Sequence, residues 1–336
     1  MARLLIVDGH AYAYRAFHAI RELRAPTGQP TNAIYGFIKM LAKMRAGIRW
    51  PSPPSTPLSV TQVGEGRGLE GGEGQKTPPT HLIVVWDGGL SAERMAALPE
   101  YKAHRPEMPA DLGPQIDEIM RYLEAANLAS FCRDGVEADD YIACLARRAL
   151  NEDMEVVIAS SDKDFMQLVT SDEGSGEASH PTPRGRIGLL NPNDKTETVW
   201  TADQVRAKTG VEPAQIVDWL SLIGDSVDNI PGVPGVGPKT AADLLRQFGS
   251  VSALYGRLPE VTSERLRTAL TAAGGAVRRN QDLVRLREDL PCEFSPDEMA
   301  GQPADGGRLA ALFRQWGFRS LLAELETAPS RQPVLL

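Results

Sequence analysis

Arg3-Leu4-Leu5-Ile6-Val7-Asp8 decides the reading of this chain. The run Leu4–Val7 is too short for a helix, is apolar throughout, and stops at once on a carboxylate. A continuous apolar run of that length predicts a strand buried on both faces, as in a parallel sheet. Two more stretches repeat the pattern: Leu82–Trp86 runs into Asp87, and Val156–Ala159 is followed by Asp162 and Asp164. Between them, Ile142, Leu145, Ala146 and Ala149 recur at helical spacing. Strands alternating with helices imply an α/β fold with a central, mostly parallel sheet. Beyond about residue 200 only helical patterns with Gly/Pro-rich joints remain, so we expect a second, helical region there.

The 336 residues allow two domains and a sizeable core. With 42% hydrophobic and 24% charged residues the composition is that of a globular protein, and runs such as Leu82–Trp86 are far too short to span a bilayer. The N-terminus lacks the pattern of a secretory signal, and Cys132, Cys144 and Cys292 have neither zinc-site nor redox-motif spacing. We therefore expect a cytoplasmic protein with no membrane partner. Two stretches, Pro51–Pro79 with six prolines and six glycines, and Ser171–Gly188, lack periodic apolar positions and predict flexible surface insertions.

The net charge of −8 alone would disfavour a nucleic-acid partner, so the placement of the acids decides the matter. Asp8, Asp87, Asp162 and Asp164 follow strands, and the C-terminal edge of an open parallel sheet is where sites form. Glu137, Asp139 and Asp140 open the helix that carries Ile142, and Asp225 with Asp228 repeats the pairing farther on. Like charges brought into one crevice repel, and hard divalent cations relieve that repulsion; an all-carboxylate set without His or Cys suits Mg²⁺, with Mn²⁺ as a substitute. With these nine set aside, 35 acids face 36 Lys and Arg, and the remainder of the chain is near neutral. Two divalent ions about 3.5–4 Å apart are a standard device for phosphodiester hydrolysis.

The stretch Pro231-Gly-Val-Pro-Gly-Val-Gly-Pro-Lys-Thr-Ala241 is not a phosphate-binding P-loop, because Pro238 separates Gly237 from Lys239 and no strand precedes it. It reads instead as a helix-hairpin-helix. Gly235 and Gly237 would permit close backbone approach, Pro238 would start the second helix, and amides there, with Lys239 and Thr240, would grip DNA phosphates. Arg94, Tyr101, Lys102, His104 and Arg105 form a basic stretch after Asp87, placed to hold a scissile phosphate. Tyr14, Arg15 and Phe17, after Asp8, combine aromatic and phosphate-binding groups as single-strand binders do.

The chain resembles the 5′-nuclease family that includes flap endonucleases and the N-terminal nuclease domain of bacterial DNA polymerase I. The blocks that carry the resemblance are LLIVDGHAYAYRAFHA, PTNAIYGF, LIVVWDGG, LPEYKAHRP, GVEADDYIACLA, ASSDKDFMQLV, LIGDSVDNIPGVPGVGPKTAADLL and WGFRSLLAEL. Trp86 and Ser161 depart from the usual Phe and Ala, and neither supplies a ligand. The resemblance implies a PIN-like domain over residues 1–200 with an arch above the site, a SAM-fold-like helix-hairpin-helix region over 201–325, and a tail over 326–336. It further implies that Asp8, Asp87, Glu137, Asp139 and Asp140 bind or support a first metal, and Asp162, Asp164, Asp225 and Asp228 a second. Arg15, Lys102 and Arg105 would assist at the scissile phosphate, Arg94 would sit on the arch with Tyr101 nearby, and a K⁺ ion would bind the hairpin backbone.

The implied function is a structure-specific 5′-3′ exonuclease and 5′ flap endonuclease of replication and repair. It would act on DNA with flaps, nicks or 5′ ends, RNA-primed ends included, as a stand-alone monomer beside a separate DNA polymerase. Two alternatives are a non-catalytic junction-binding module and a PIN-type ribonuclease.

Overall fold

Residues 1–49, 76–170, 185–194 and 198–327 are described by the computed structural model. Most of the two expected insertions lies outside them. Strand β1 (Arg3–Asp8) leads into α1 (Gly9–Ala19) and α2 (Asn32–Ala46), and a short ladder pairs β2 (Ile48–Arg49) with β3 (Lys76–Thr77). Then come β4 (His81–Val85), α3 (Ala92–Ala97), α4 (Gly113–Ala125), β5 (Ala129–Phe131), α5 (Ala138–Asn151), β6 (Glu155–Ala159), a 3-10 turn (Asp164–Leu168) and β7 (Arg186–Leu190). The five-stranded sheet has the order β5-β4-β1-β6-β7 with every neighbouring pair parallel, as the three apolar runs imply.

The expected loop Ser171–Gly188 needs correction at its end. Arg186, Ile187 and Gly188 are the first half of β7, where Ile187 is buried. At the end of the other expected loop, Lys76 and Thr77 form β3.

Alternate side chains of β1, β4 and β6 feed two cores, as the strand period of two requires. Leu4, Ile6, Ile83, Val85, Val156 and Ile158 face one way; Leu5, Val7, Leu82, Val84, Val157 and Ala159 face the other, against α1, α2 and α4. Helix α5 meets the first face with Ile142, Leu145, Ala146 and Ala149, all fully buried, so the helical spacing read from the sequence is the one the core uses.

The helical region contains α6 (Ala202–Thr209), α7 (Ile216–Ile223), α8 (Pro238–Phe248), α9 (Val251–Gly256), α10 (Glu264–Val284) and α11 (Pro296–Met299). It is not purely helical: β8 (Gly224–Asp225) and β9 (Ile230–Pro231) pair between α7 and α8. Apolar residues of α7, α8 and α10 continue the first core without a break. The last two helices, α12 (Gly306–Trp316) and α13 (Arg319–Thr327), return to the second face, where Phe313 stacks with Tyr122 and Phe318 meets Tyr35 edge-on. Among the described residues no helix is long and apolar enough to cross a membrane.

Candidate metal centre and nucleic-acid interface

The C-terminal edge of the sheet carries the acids. Asp8 ends β1 and caps α1, accepting from the Ala11 N–H at 3.0 Å. Asp87 follows β4, and Gly88 beside it is tied to the loop before α5: its N–H donates to Val136 O and its carbonyl accepts from Gly135 N. A Cβ at Gly88 would stand 1.8 Å from Arg133 O, so only glycine fits there. Asp139 and Asp140 lie in the first turn of α5, where the helix dipole favours carboxylates. Asp225 and Asp228 lie in the connection between α7 and α8, so the helical region supplies two carboxylates to the sheet-edge site.

A cavity of about 420 Å³ brings together Asp8, Asp87, Asp139, Asp162, Asp225 and Asp228, with His10, Tyr14, Arg105, Ser161 and Lys163 on its wall. Carboxylate oxygens of Asp164, Asp225 and Asp228 lie within 4.8 Å of one another. Asp164 Oδ1 is buried without a hydrogen-bond partner, an arrangement that is costly unless a cation meets it. This donor set of oxygens alone fits a hard divalent ion.

Electrostatics agree. Burial, and after it Asp162 and Asp87, push Asp8 up to about 6 against the pull of hydrogen bonds from Ala11 and Ser160. Burial and neighbouring carboxylates also hold Asp139 and Asp164 well above the carboxylate range and raise Asp162. Against the six aspartates that line the cavity stand Arg105 and Lys163, so negative charge is in excess there.

Glu137 and Asp140 sit behind the cavity and already have cations. Arg94 forks onto both oxygens of Asp140 at 2.8 and 2.7 Å, reaches Glu137 at 3.1 Å, and donates to the carbonyls of Leu283 and Arg285. Lys102 Nζ donates to Glu137 Oε2 at 2.8 Å, and the Ser91 N–H donates to Oε1. Burial opposes ionisation of Glu137, but Lys102 and Arg94 outweigh it and lower its pKa.

These bonds turn three residues of the expected arch inward: Arg94, Tyr101 and Lys102 are buried, while Met95 and Met108 on the same stretch are exposed. The Lys102 N–H donates to Asp228 O and Asn229 Nδ2 to Glu100 O, while Lys102 and Asn229 both adopt left-handed backbone, each with φ 57°. For non-glycine residues that costs about 1–2 kcal/mol each, a sign that the docking of these two turns is strongly determined. Arg94 and Tyr101 thus face the carboxylates of Glu137, Asp140 and Asp228, not solvent, held by these hydrogen bonds. Arg105 stays at the rim, half on Asp228 Oδ1 at 2.8 Å and half exposed.

Arg15 does not line the acidic cavity. It lies in an adjoining groove with Tyr14, His18, Ser161 and Asn193, so Tyr14 and Ser161 border both spaces. The hairpin Gly235, Gly237 and Lys239 is exposed; Gly235 has φ +82°, Gly237 caps α8, and Pro238 occupies its first turn. The connection from α7 to α8 is longer than a tight turn, because β8, β9 and the two acids are built into it.

Three residues at the site escaped the sequence reading. Ser160 Oγ donates to Asp8 Oδ2 at 2.8 Å and accepts from the Asp162 N–H, joining the ends of β1 and β6. His10 Nδ1 accepts from the Asp87 N–H, which leaves its hydrogen on Nε2. Lys163 Nζ pairs with Asp225 Oδ2. The available signal was position: each lies within two residues of a site aspartate.

Residues 3–51 and 74–210 match the 5′-3′ exonuclease N-terminal resolvase-like domain, and residues 211–306 match the C-terminal SAM fold of the same family. A DNA polymerase I of Bacillus caldotenax is 34% identical over 330 residues, covering 98% of this chain and 33% of that protein. The chain thus spans about a third of the length of such polymerase relatives. A 5′-3′ exonuclease of Aquifex aeolicus is 33% identical over 327 residues, covering 97% of this chain and 96% of that one. In fold, the chain is similar to the zinc-bound T5 5′-exonuclease (24% identity, TM-score 0.58, 84% of this chain and 89% of that). It is likewise similar to the catalytic core of Rad2 solved with DNA substrate (16% identity, TM-score 0.58, 96% and 91%). Full-length agreement with a stand-alone exonuclease, two consecutive family domains and the acidic sheet edge lead to one conclusion: this chain belongs to the 5′-3′ exonuclease family.

Proposed function

We propose that the chain is a divalent-metal-dependent 5′-3′ exonuclease and 5′ flap endonuclease acting on DNA. The observation that carries the reading is the crowding of seven aspartates at the sheet edge, with Asp164 Oδ1 buried and unpartnered among them. In this reading residues 1–200, joined by Asp225 and Asp228 from the helical region, carry the reaction, and α7–α10 of the 201–325 region hold the duplex.

Asp164, Asp225 and Asp228 would hold one Mg²⁺ ion, and Asp8, Asp87 and Asp139 another, with Asp162 between the groups. When bound, such a pair supplies an activated water and neutralises charge on the attacking and leaving oxygens. Ser160 fixes the orientation of Asp8 relative to Asp162. Glu137 and Asp140 serve from behind: with Arg94 and Lys102 they fix α5, and so the placement of Asp139. Arg105, a cation at the rim, offers its remaining donors to the scissile phosphate, while Lys102 holds Glu137 and the turn at Asp228. Tyr14 and Arg15, in the adjoining groove, take the single-stranded 5′ arm by stacking and a phosphate contact. The hairpin amides after Gly235, with Lys239 and Thr240, grip the duplex without reading bases, and K⁺ would bind at their backbone.

The test is a substrate panel of 5′ flap, nicked, RNA-primed and single-stranded DNA, with an unstructured RNA beside them, in Mg²⁺ or Mn²⁺. Cleavage concentrated at flap junctions and 5′ ends supports the reading. Equal cleavage of unstructured RNA would favour a ribonuclease, and tight junction binding without turnover a binding module.

A further inference from the structure

Lys163 lies between two site aspartates on the turn after β6, yet it pairs with neither; its ammonium reaches across the cavity to Asp225 Oδ2. The other oxygen of Asp225 accepts the Val227 N–H at 2.9 Å, so both oxygens of this carboxylate are engaged. Asp225 is also one of the three carboxylates whose oxygens lie within 4.8 Å of one another, the span a single divalent cation would bridge. A cation there and Lys163 seek the same oxygen.

The other basic groups at the site differ. The Lys102 side chain is 2% exposed, and its backbone N–H is bound to Asp228 O, so it has nowhere to go. Arg105 holds Asp228 through one nitrogen of a fork with five donors and can keep that bond while binding something else. Lys163 is a compact point charge on a flexible stem, its side chain is one-third exposed, and the cavity wall it belongs to opens toward solvent.

We propose that Lys163 is a built-in competitor for the second metal site: its ammonium and a divalent cation exclude each other at Asp225, so this residue sets the affinity of that site. The inference rests on the metal-dependent reading above. Ion binding releases Lys163 to the rim of the cavity, where its charge faces the incoming phosphate. The exchange swaps one positive charge for two beside three carboxylates. It also sacrifices a partly exposed ion pair, which makes the competition modest, on the order of three- to tenfold in affinity.

The experiment is a Mn²⁺ titration of the full chain without DNA, with free ion followed by electron paramagnetic resonance. Lys163→Met and Lys163→Gln should bind the weaker of the two ions about three- to tenfold more tightly and leave the tighter ion unchanged, whereas Lys163→Arg, which keeps the charge, should not tighten it. A merely structural lysine would give unchanged or weaker binding on removal. Unchanged or weaker binding in the Met and Gln variants, with Asp225→Asn still losing an ion, would overturn the role of Lys163 and leave the metal site standing. Tightening by Lys163→Arg equal to that by Lys163→Met would overturn it as well. Failure of the unsubstituted chain to bind Mn²⁺ in the millimolar range would overturn the site and this inference together.

Discussion

Replacing Asp8 by Asn should stabilise the protein in chelator at alkaline pH and destabilise it in acid. Asp8 is buried, and its carboxyl is pushed up to about 6 from 3.8, chiefly by burial and then by its acidic neighbours. Between those values the native state binds the proton more tightly than the unfolded chain does. Stability therefore falls as pH rises through the window, and above about pH 6 the full cost is present. The gap corresponds to an upper limit of about 3 kcal/mol. Asn keeps the cap on α1, since its side-chain oxygen can still accept the Ala11 N–H, but it loses the bond from Ser160, a cost of about 1 kcal/mol. The net expectation is a gain of about 1–2 kcal/mol at pH 8, or a rise of about 2–4 °C in Tm, turning into a loss of about 1 kcal/mol near pH 4. Urea unfolding of both proteins in EDTA across that range measures it. A destabilisation of equal size at pH 4 and pH 8 would refute the claim that the cluster is strained by its own charge.

The remaining predictions concern support and grip. Arg94→Met should cost about 3–5 kcal/mol in unfolding experiments, because it strands the buried Asp140, and adding Asp140→Leu should recover most of it. An unchanged Tm with weakened DNA binding would instead place Arg94 on the surface. Gly88→Ala should destabilise by more than about 2 kcal/mol and displace Asp87, since the new methyl meets Arg133 O; thermal unfolding and Mn²⁺ titration report both effects. Lys239→Ala should weaken binding to flap DNA and reduce the slope of log affinity against log salt by about 0.9, while cleavage at saturating DNA stays the same.

Much of the fold was legible because burial on both faces of a parallel sheet writes unbroken apolar runs, as in Leu4–Val7 and Leu82–Val85. Strand β5 was not, since Ala129-Ser130-Phe131 is short and only half-buried, and β7 was hidden because its start adjoins a Gly/Pro-rich stretch. The acids were legible through their places at strand ends. The roles of the basic residues were not: a run of charges reads as a solvated face, and nothing local shows that Arg94, Tyr101 and Lys102 meet Glu137, Asp140 and Asp228 across long stretches of chain. Ser160 and Lys163 are small or common residues whose meaning exists only once β1, β6 and the α7–α8 connection meet.

Cleavage of a 5′-labelled double-flap DNA by the purified chain, in Mg²⁺ and in EDTA, with Asp164→Asn alongside, is the most direct test of the central claim. The account predicts products cut near the junction in Mg²⁺ alone, and at least a hundredfold less product, on the order of one lost charge-stabilising group, from the folded variant. Cleavage that survives EDTA, or that Asp164→Asn leaves unchanged, would contradict it.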